Sequence, residues 1–390
     1  MAALTFPDHP GSQELIEFAL QEFKYQMKHS VRDGAWWEGA SNYHCSVVVG
    51  ALVRFGFALY RKNKINIFKN KNFQELIDWM VKVQTPVDKT VGHVLRPAYG
   101  DAGWSSSKDF GWLPMAAMMY EKYDPEFAGR LMWTWKRSGE PLPSEGRWYL
   151  IDRDIEPIPQ NLSSSLVAKE KGQVVFRSNF NTDQEHWFFM YSDELPLGGS
   201  HHANDWNSFS LYVSGYPLVL NSGEGNERWR ETKRKTTVMF AGRDQVRKDG
   251  GNVFYYSGDE VDYTVNDASK PSQVQKFYRH VLFVKDPGYY IIWDEIESRY
   301  YAEWLLHSPA ESIIETNFGL RAKTPWKINL NLHVLLPEEI EIRDKGEYPL
   351  YHPVLDKQKY VSIFNEAGED FIIVLKPSRD EEKKNKIKAS

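Results

Sequence analysis

Residues 198–209 read GGSHHANDWNSF, so His201 and His202 follow a glycine pair and Asp205 stands just ahead of a strand-like run. Histidine is the side chain whose unperturbed pKa lets it exchange a proton near neutral pH. The same residues suit two other roles. His201 or His202 with Asp205 can ligate a metal, although zinc normally takes three or four protein ligands. They can equally be loop histidines, with Asp205 bonding the turn backbone. A second segment, DGAWWEGASNYHC at 33–45, sets Tyr43 at the start of the most apolar run of the chain. A tyrosine there can act as a general acid if its pKa is lowered; the structural alternative is a packed ring whose hydroxyl bonds the backbone. A third, RPAYGDAGW at 96–104, reads as a rigid turn carrying an aspartate. The chain has no G-x-G-x-x-G, P-loop, G-x-S-x-G or H-E-x-x-H motif. Its one cysteine, Cys45, lies in an apolar run and suits a small buried hydrophobe better than a nucleophile.

The elements that position these segments fall into two kinds. Over the first 140 or so residues the apolar spacing predicts helices at 12–31, 43–60, 73–83, 109–120 and 125–136. Asp109 and Asp124 stand where N-caps belong, and Pro125 suits a first helical turn. The run at 43–60 is apolar nearly all round, as in a helix enclosed by others. Residues 138–159 hold four prolines and no sustained period, and read as a linker. Beyond them come short β-branched and aromatic runs: VVFRSNF, HWFFMYS, FSLYVSG, YPLVLNS, VFYYSGD, FYRHVLFV, YYIIWDEI and FIIVL. Eight such runs without intervening helices predict antiparallel sheets packed as a sandwich. The expected organisation is a helical domain at 1–140, a linker at 141–164, an all-β domain at 165–380 and a charged tail at 381–390.

Composition narrows the function classes. Of 390 residues, 42% are apolar and 26% charged, the balance of a folded globular protein rather than a disordered or collagenous one. The formal charge of −5 lacks the basic excess of nucleic-acid binders. No uninterrupted apolar run reaches the length of a membrane span, and the first residues lack the basic and apolar regions of a secretory signal. Aromatic residues make up 14%, including 14 tryptophans, which either enlarge the core or offer flat faces to sugar rings.

Taken together the segments resemble the heparinase II/III family of polysaccharide lyases, with the alginate lyases and dermatan sulfate epimerases. HHANDWNSFSLYVSGYPLVLNSG at 201–223 is similar to the family stretch H-x-H-x-D-x-x-S-F, a strand, a glycine turn and D-x-G. NERWRETKRKTTVMFAGRDQ, the pair RHVLFVKDPGYYIIWDEI and EWLLHS follow in the family order, and DGAWWEGASNY resembles the D-G-x-x-x-E-G loop with its tyrosine. The resemblance implies an α+β multidomain fold, a partial α/α toroid followed by an antiparallel β-sandwich. It implies β-elimination on a polysaccharide containing uronic acid, of alginate or glycosaminoglycan type. Tyr43 would be the acid, and for one stereochemistry also the base, and His201 the base or a charge stabiliser. Asn42, His44, Tyr99, Arg177, His202, Trp206, Asn207, Trp229 and Arg230 would lie near an acidic poly- or oligosaccharide. A secreted or periplasmic location goes with the family. No nucleic-acid or membrane partner is expected.

Three departures qualify that reading. Ala203 replaces the second motif histidine and Asn221 the aspartate of D-x-G, so the family's structural zinc is expected to be lost and no cofactor is expected. H-N-T reads Lys235-Thr236-Thr237. The family's carboxylate-neutralising Asn or His, upstream of the tyrosine, has no counterpart, and five helices are about half a toroid. A weak or absent activity, and a self-associating chain or a missing helical partner segment, follow as expectations. The alternative functions are a non-catalytic carbohydrate-binding remnant and a uronate epimerase.

Overall fold

The computed structural model describes residues 2–38, 40–105, 110–142, 154–194, 201–223, 230–366 and 368–380. In α1 (Ser12–His29) the helical spacing buries Ile16, Phe23 and Met27 on one face. A π-helical turn, Tyr43–Val49, runs directly into α2 (Gly50–Asn63). Side chains start two further helices: Asn70 Oδ1 accepts from the Phe73 N–H at 3.1 Å ahead of α3 (Lys71–Lys82). After α4 (Leu113–Tyr120), Asp124 Oδ1 accepts from the Phe127 N–H at 3.0 Å and Pro125 opens α5 (Pro125–Arg137). These caps satisfy N–H groups that a first turn leaves without an intrahelical partner. Asp109, expected as a cap, lies outside the described residues, as do much of the expected linker and the charged tail.

The helix over Tyr43–Asn63 is the one described helix long and apolar enough to cross a bilayer by length and composition. It is packed on one side only. Cys45, Val49, Val53 and Leu59 are fully buried, whereas Val47 is 51% exposed. The expectation of a helix enclosed all round is corrected, because no other described segment covers the face that carries Val47 and Ala51.

From Leu166 onward the chain forms antiparallel strands, and the eight runs read from the sequence all fall on them. A five-stranded sheet keeps sequence order: β1 (Leu166–Ala168), β2 (Gln173–Ser178), β3 (His186–Tyr191), β4 (Ser208–Val213) and β5 (Tyr216–Val219). Its middle strands are buried on both faces. Val175, Trp187, Phe189, Tyr191 and Tyr212 pack against the helices, whereas Val174, Phe176, Phe188, Met190 and Phe209 face the second core. That alternation is the period-two geometry of a strand applied to a sheet covered twice.

Two more sheets complete the second core. After β6 (Val238–Phe240) come β7 (Gly251–Ser257), β8 (Val261–Asp267), β9 (Lys276–Val284) and β10 (Tyr289–Glu297). They are followed by β11 (Ala302–Ser308), β12 (Ser312–Thr316), β13 (Gly319–Lys323) and β14 (Ile328–Leu336), then β15 (Glu341–Pro349), β16 (Lys357–Asn365) and β17 (Phe371–Arg379). The eight-stranded sheet has the order β7-β8-β9-β10-β17-β14-β13-β12, and the four-stranded one β6-β11-β16-β15. Phe277, Val281, Tyr290, Leu332 and Ile373 from the former and Trp304, Leu306 and Ile363 from the latter share one core with the five-stranded sheet.

The helical layer is tied to this body by polar contacts as well as by aromatic packing. Asp88 accepts from Tyr212 Oη at 3.0 Å and from the Thr90 N–H at 2.7 Å, and lies 3.1 Å from His352 Nε2. Lys171 Nζ donates to Asp193 Oδ1 at 2.6 Å and to the Trp37 carbonyl at 2.9 Å, with lysine and aspartate both buried. The two layers are therefore set in a defined relation where the loops carrying Tyr43 and His201 meet.

Candidate active site

Tyr43 comes from the helical layer. The tight hairpin of Val31–Arg32 and Ala35–Trp36, turned by Asp33 and Gly34 at positive φ, brings the chain to residues 40–42. Asn42 Oδ1 accepts from the Tyr43 N–H at 2.9 Å, and Tyr43 opens the π-helical turn. Such turns are rare and gather at functional sites. Below it, the buried Arg96 guanidinium donates to Ser41 Oγ.

His201 comes from the loop ahead of β4. Its φ of 65° puts it in the left-handed region that residues other than glycine rarely adopt. The loop is held there from both sides: the Asp101 N–H donates to the His201 carbonyl at 3.2 Å, and the Gly100 N–H to Asp205 Oδ2 at 2.7 Å. The imidazole lies face to face with the Tyr43 ring, 3.5 Å between centroids and 21° between planes. On its other edge, His201 Nδ1 is 2.7 Å from Asp101 Oδ2. Arg230 Nη2 donates to that same oxygen at 3.1 Å. The His201 side chain is 27% exposed and that of Arg230 54%, while the Asp101 side chain is only 6% exposed. Tyr43, His201 and Arg230, with Asn42 beside the tyrosine, are thus brought together.

Most of the other candidates are not. His44 is one residue from Tyr43, but helical rotation turns it inward: Trp36 N–H donates to its Nδ1 at 3.3 Å, and its Nε2 lies 3.2 Å from the Leu76 carbonyl. Burial lowers its pKa to about 3. Tyr99 is enclosed between Phe189 and Tyr191, and burial pushes its hydroxyl above the ordinary phenol range. His202 points opposite to His201, 3.4 Å from Asp193 and stacked on Trp206; burial first, and then the Lys171 charge, lowers its pKa to about 3. Trp206 is fully buried, its Nε1 donating to the Asp193 carbonyl at 2.9 Å. Asn207, also buried, donates from Nδ2 to the Asn266 carbonyl at 3.2 Å. Arg177 donates to the Gln84 carbonyl at 2.6 Å and stacks over Phe180. The expectation that His44, Tyr99, Arg177, His202, Trp206 and Asn207 meet substrate is corrected on the same ground: each spends its polar atoms or its ring inside the protein. Trp229 lies outside the described residues.

Asp101 was expected to be only a turn residue. Its contacts to His201 and Arg230 span the two layers, which no local spacing announces; the flanking Gly100 and Gly103 were the available signal. A cavity of about 1070 Å³ opens elsewhere, beside Arg177, His186, Lys285 and Arg379, and shares no residue with the Tyr43–His201 pair.

At the places where the family resemblance puts zinc ligands, the Ala203 side chain has no donor atom and is buried. Asn221 spends its amide on Ser208 Oγ, at 3.2 Å, and on the Thr236 N–H, at 2.9 Å. Lys235, buried beside Asp205, brings a cation of its own to the region. Among the described residues no group of three His, Cys, Asp or Glu could hold a metal ion. The residues at these places do not fit a divalent cation.

No protein-family model matches this chain, and no curated protein does. Solved structures do. A heparan sulfate lyase HepC mutant from Pedobacter heparinus superposes with a TM-score of 0.75 at 14% identity, over 98% of this chain and 59% of that one. A heparinase III described as the BT4657 gene product gives 0.72 at 16% identity, over 97% and 58%. Another heparinase III gives 0.75 at 13% identity, over 97% and 60%. The chain spans about three fifths of the length of each of these neighbours. At these identities the likeness concerns architecture, and nearly the whole chain, helices and antiparallel sheets together, has the heparinase III-like fold.

Proposed function

We propose that this chain is a lyase for uronic-acid-containing polysaccharides of alginate or glycosaminoglycan type, its helices forming part of an α/α toroid and its sheets a β-sandwich. The observation that carries the reading is the face-to-face pair of Tyr43 and His201, contributed by different layers. In the reaction the His201 imidazole takes the C5 proton of the uronate. The electron pair left on C5 forms the C4–C5 double bond, the bond from C4 to the leaving oxygen breaks, and the Tyr43 hydroxyl protonates that oxygen. Solvent then returns a proton to the tyrosine and removes one from the histidine. C5 is acidic enough only if the neighbouring carboxylate is neutralised. Arg230, a permanent cation with a forked set of donors and a half-exposed side chain, is the described residue suited to that. The chemistry needs no redox cofactor, and zinc has no role in the reading. An acidic polysaccharide is the partner, and a location outside the cytoplasm suits it. The test is a panel of alginate, heparan, chondroitin, hyaluronan and ulvan followed by the ultraviolet absorbance of an unsaturated uronate. Absorbance growing on at least one polymer supports the reading. Binding without absorbance on all of them overturns it in favour of a carbohydrate-binding protein.

A further inference from the structure

We infer that Asp101 is a positioning residue that fixes the tautomer and the orientation of His201, leaving Nε2 as the proton-accepting nitrogen. The inference builds on the proposed lyase reading but rests on contacts that exist whatever the substrate. An ionised carboxylate only accepts hydrogen bonds. With Nδ1 of His201 2.7 Å from Asp101 Oδ2, the ring proton of the neutral imidazole therefore sits on Nδ1. The lone pair is left on Nε2, the nitrogen that a general base must present.

The carboxylate is itself held in place. Its backbone N–H donates to the His201 carbonyl, so Asp101 clasps His201 at both main chain and ring. Gly100, one residue before, turns the chain at a φ of 63° and ties the corner to Asp205. At the base of the same loop Arg96 pairs with Ser105, its N–H donating to the Ser105 carbonyl at 2.8 Å. Arg230 donates to Oδ2, the same oxygen that His201 uses, and so adds a second contact on that side of the carboxylate. The Tyr43 ring closes the face of the imidazole, and the two contacts together fix both its tilt and its rotation. A base held in this way meets the substrate without a reorientation cost at the moment of transfer.

The test uses the full chain with ¹⁵N-labelled histidine. At neutral pH the ring nitrogen shifts of His201, assigned by the resonances missing from His201→Gln, are expected to show Nδ1 protonated. In Asp101→Asn they are expected to move toward the Nε2-protonated form or a mixture. On the polysaccharide cleaved by the unaltered protein, Asp101→Asn should lower kcat by about 10²-fold or more, with KM changed much less. An Nε2-protonated His201 in the unaltered protein overturns the inference, and that spectrum requires no variant to fold. An unchanged tautomer or unchanged kcat in Asp101→Asn overturns it as well. If no polymer is cleaved but the tautomer is as stated, the lyase reading fails while the role of Asp101 stands.

Discussion

The ring of Tyr43 lies face to face with the imidazole of His201, and the two arrive from opposite layers of the molecule, one on a π-helical turn and one on a loop ahead of a strand. Stacking of this kind is worth only about 1 kcal/mol. What holds the pair is the surrounding frame: Asn42 at the start of the turn, Asp101 and Asp205 on the loops, and the interlayer bonds of Asp88 and Lys171.

Removing either reacting group should affect turnover more than binding. Tyr43→Phe and His201→Ala are each expected to lower kcat by about 10²-fold or more, the usual scale for a general acid or base. Initial rates over a range of polymer concentrations measure this. Normal turnover in one variant would take that residue out of the mechanism.

Residues that the structure buries should behave in the opposite way. Arg177→Ala removes a guanidinium from the Gln84 carbonyl and from Phe180 and takes from its buried neighbour Glu185 one of its two cations, Arg137 remaining. A loss of about 3 kcal/mol of stability is expected, with KM unchanged in whatever fraction stays folded. Urea titration together with kinetics separates the two effects, and a raised KM at full stability would return Arg177 to the substrate site.

The helical and antiparallel organisation was legible because its signals are local. Asp124 with Pro125 marks a helix start, and the eight β-branched and aromatic runs mark strands. Strand β15 was not read, because its side chains are charged and mostly exposed and carry no apolar alternation. In the site, the paired histidines drew attention to His201, but nothing local separates its outward ring from the inward ring of His202. A strand or loop sends neighbouring side chains to opposite sides, and only the partners, Asp101 for one and Asp193 for the other, tell them apart. Asp101 itself was hidden for the same reason: an aspartate beside a glycine looks like a turn until the loop that it meets is known.

Acid should destabilise the protein through its buried histidines. His44, His202 and His307 all have pKa values lowered to about 3, in each case chiefly by burial. The unfolded chain takes up protons at these positions near pH 6.5, whereas the folded chain does not. Their contribution is thus complete above about pH 6.5 and is lost as pH falls toward 3, each histidine adding a slope of about 1.4 kcal/mol per pH unit. His307→Phe keeps a ring for the Tyr360 stack, 4.5 Å between centroids, and should remove one proton from that slope. Denaturant midpoints between about pH 4.5 and 7 check it. A slope unchanged by the substitution would contradict it.

Metal should make no difference to folding. Zinc added to the purified chain is expected to leave the melting temperature unchanged, and elemental analysis after dialysis is expected to find no stoichiometric zinc. A tightly held zinc with a raised melting temperature would contradict the reading of Ala203, Asn221 and Lys235.

The proposed reaction is β-elimination on a uronate by Tyr43 and His201 together. Its most direct test is ultraviolet absorbance of the unsaturated product, recorded across the polysaccharide panel for the unaltered chain beside His201→Ala. The product absorbance is expected to rise with the unaltered chain on at least one uronate polymer, at a rate that falls by about 10²-fold in the variant. Equal rates from the two proteins, or no unsaturated product from any polymer that the unaltered chain binds, would contradict it.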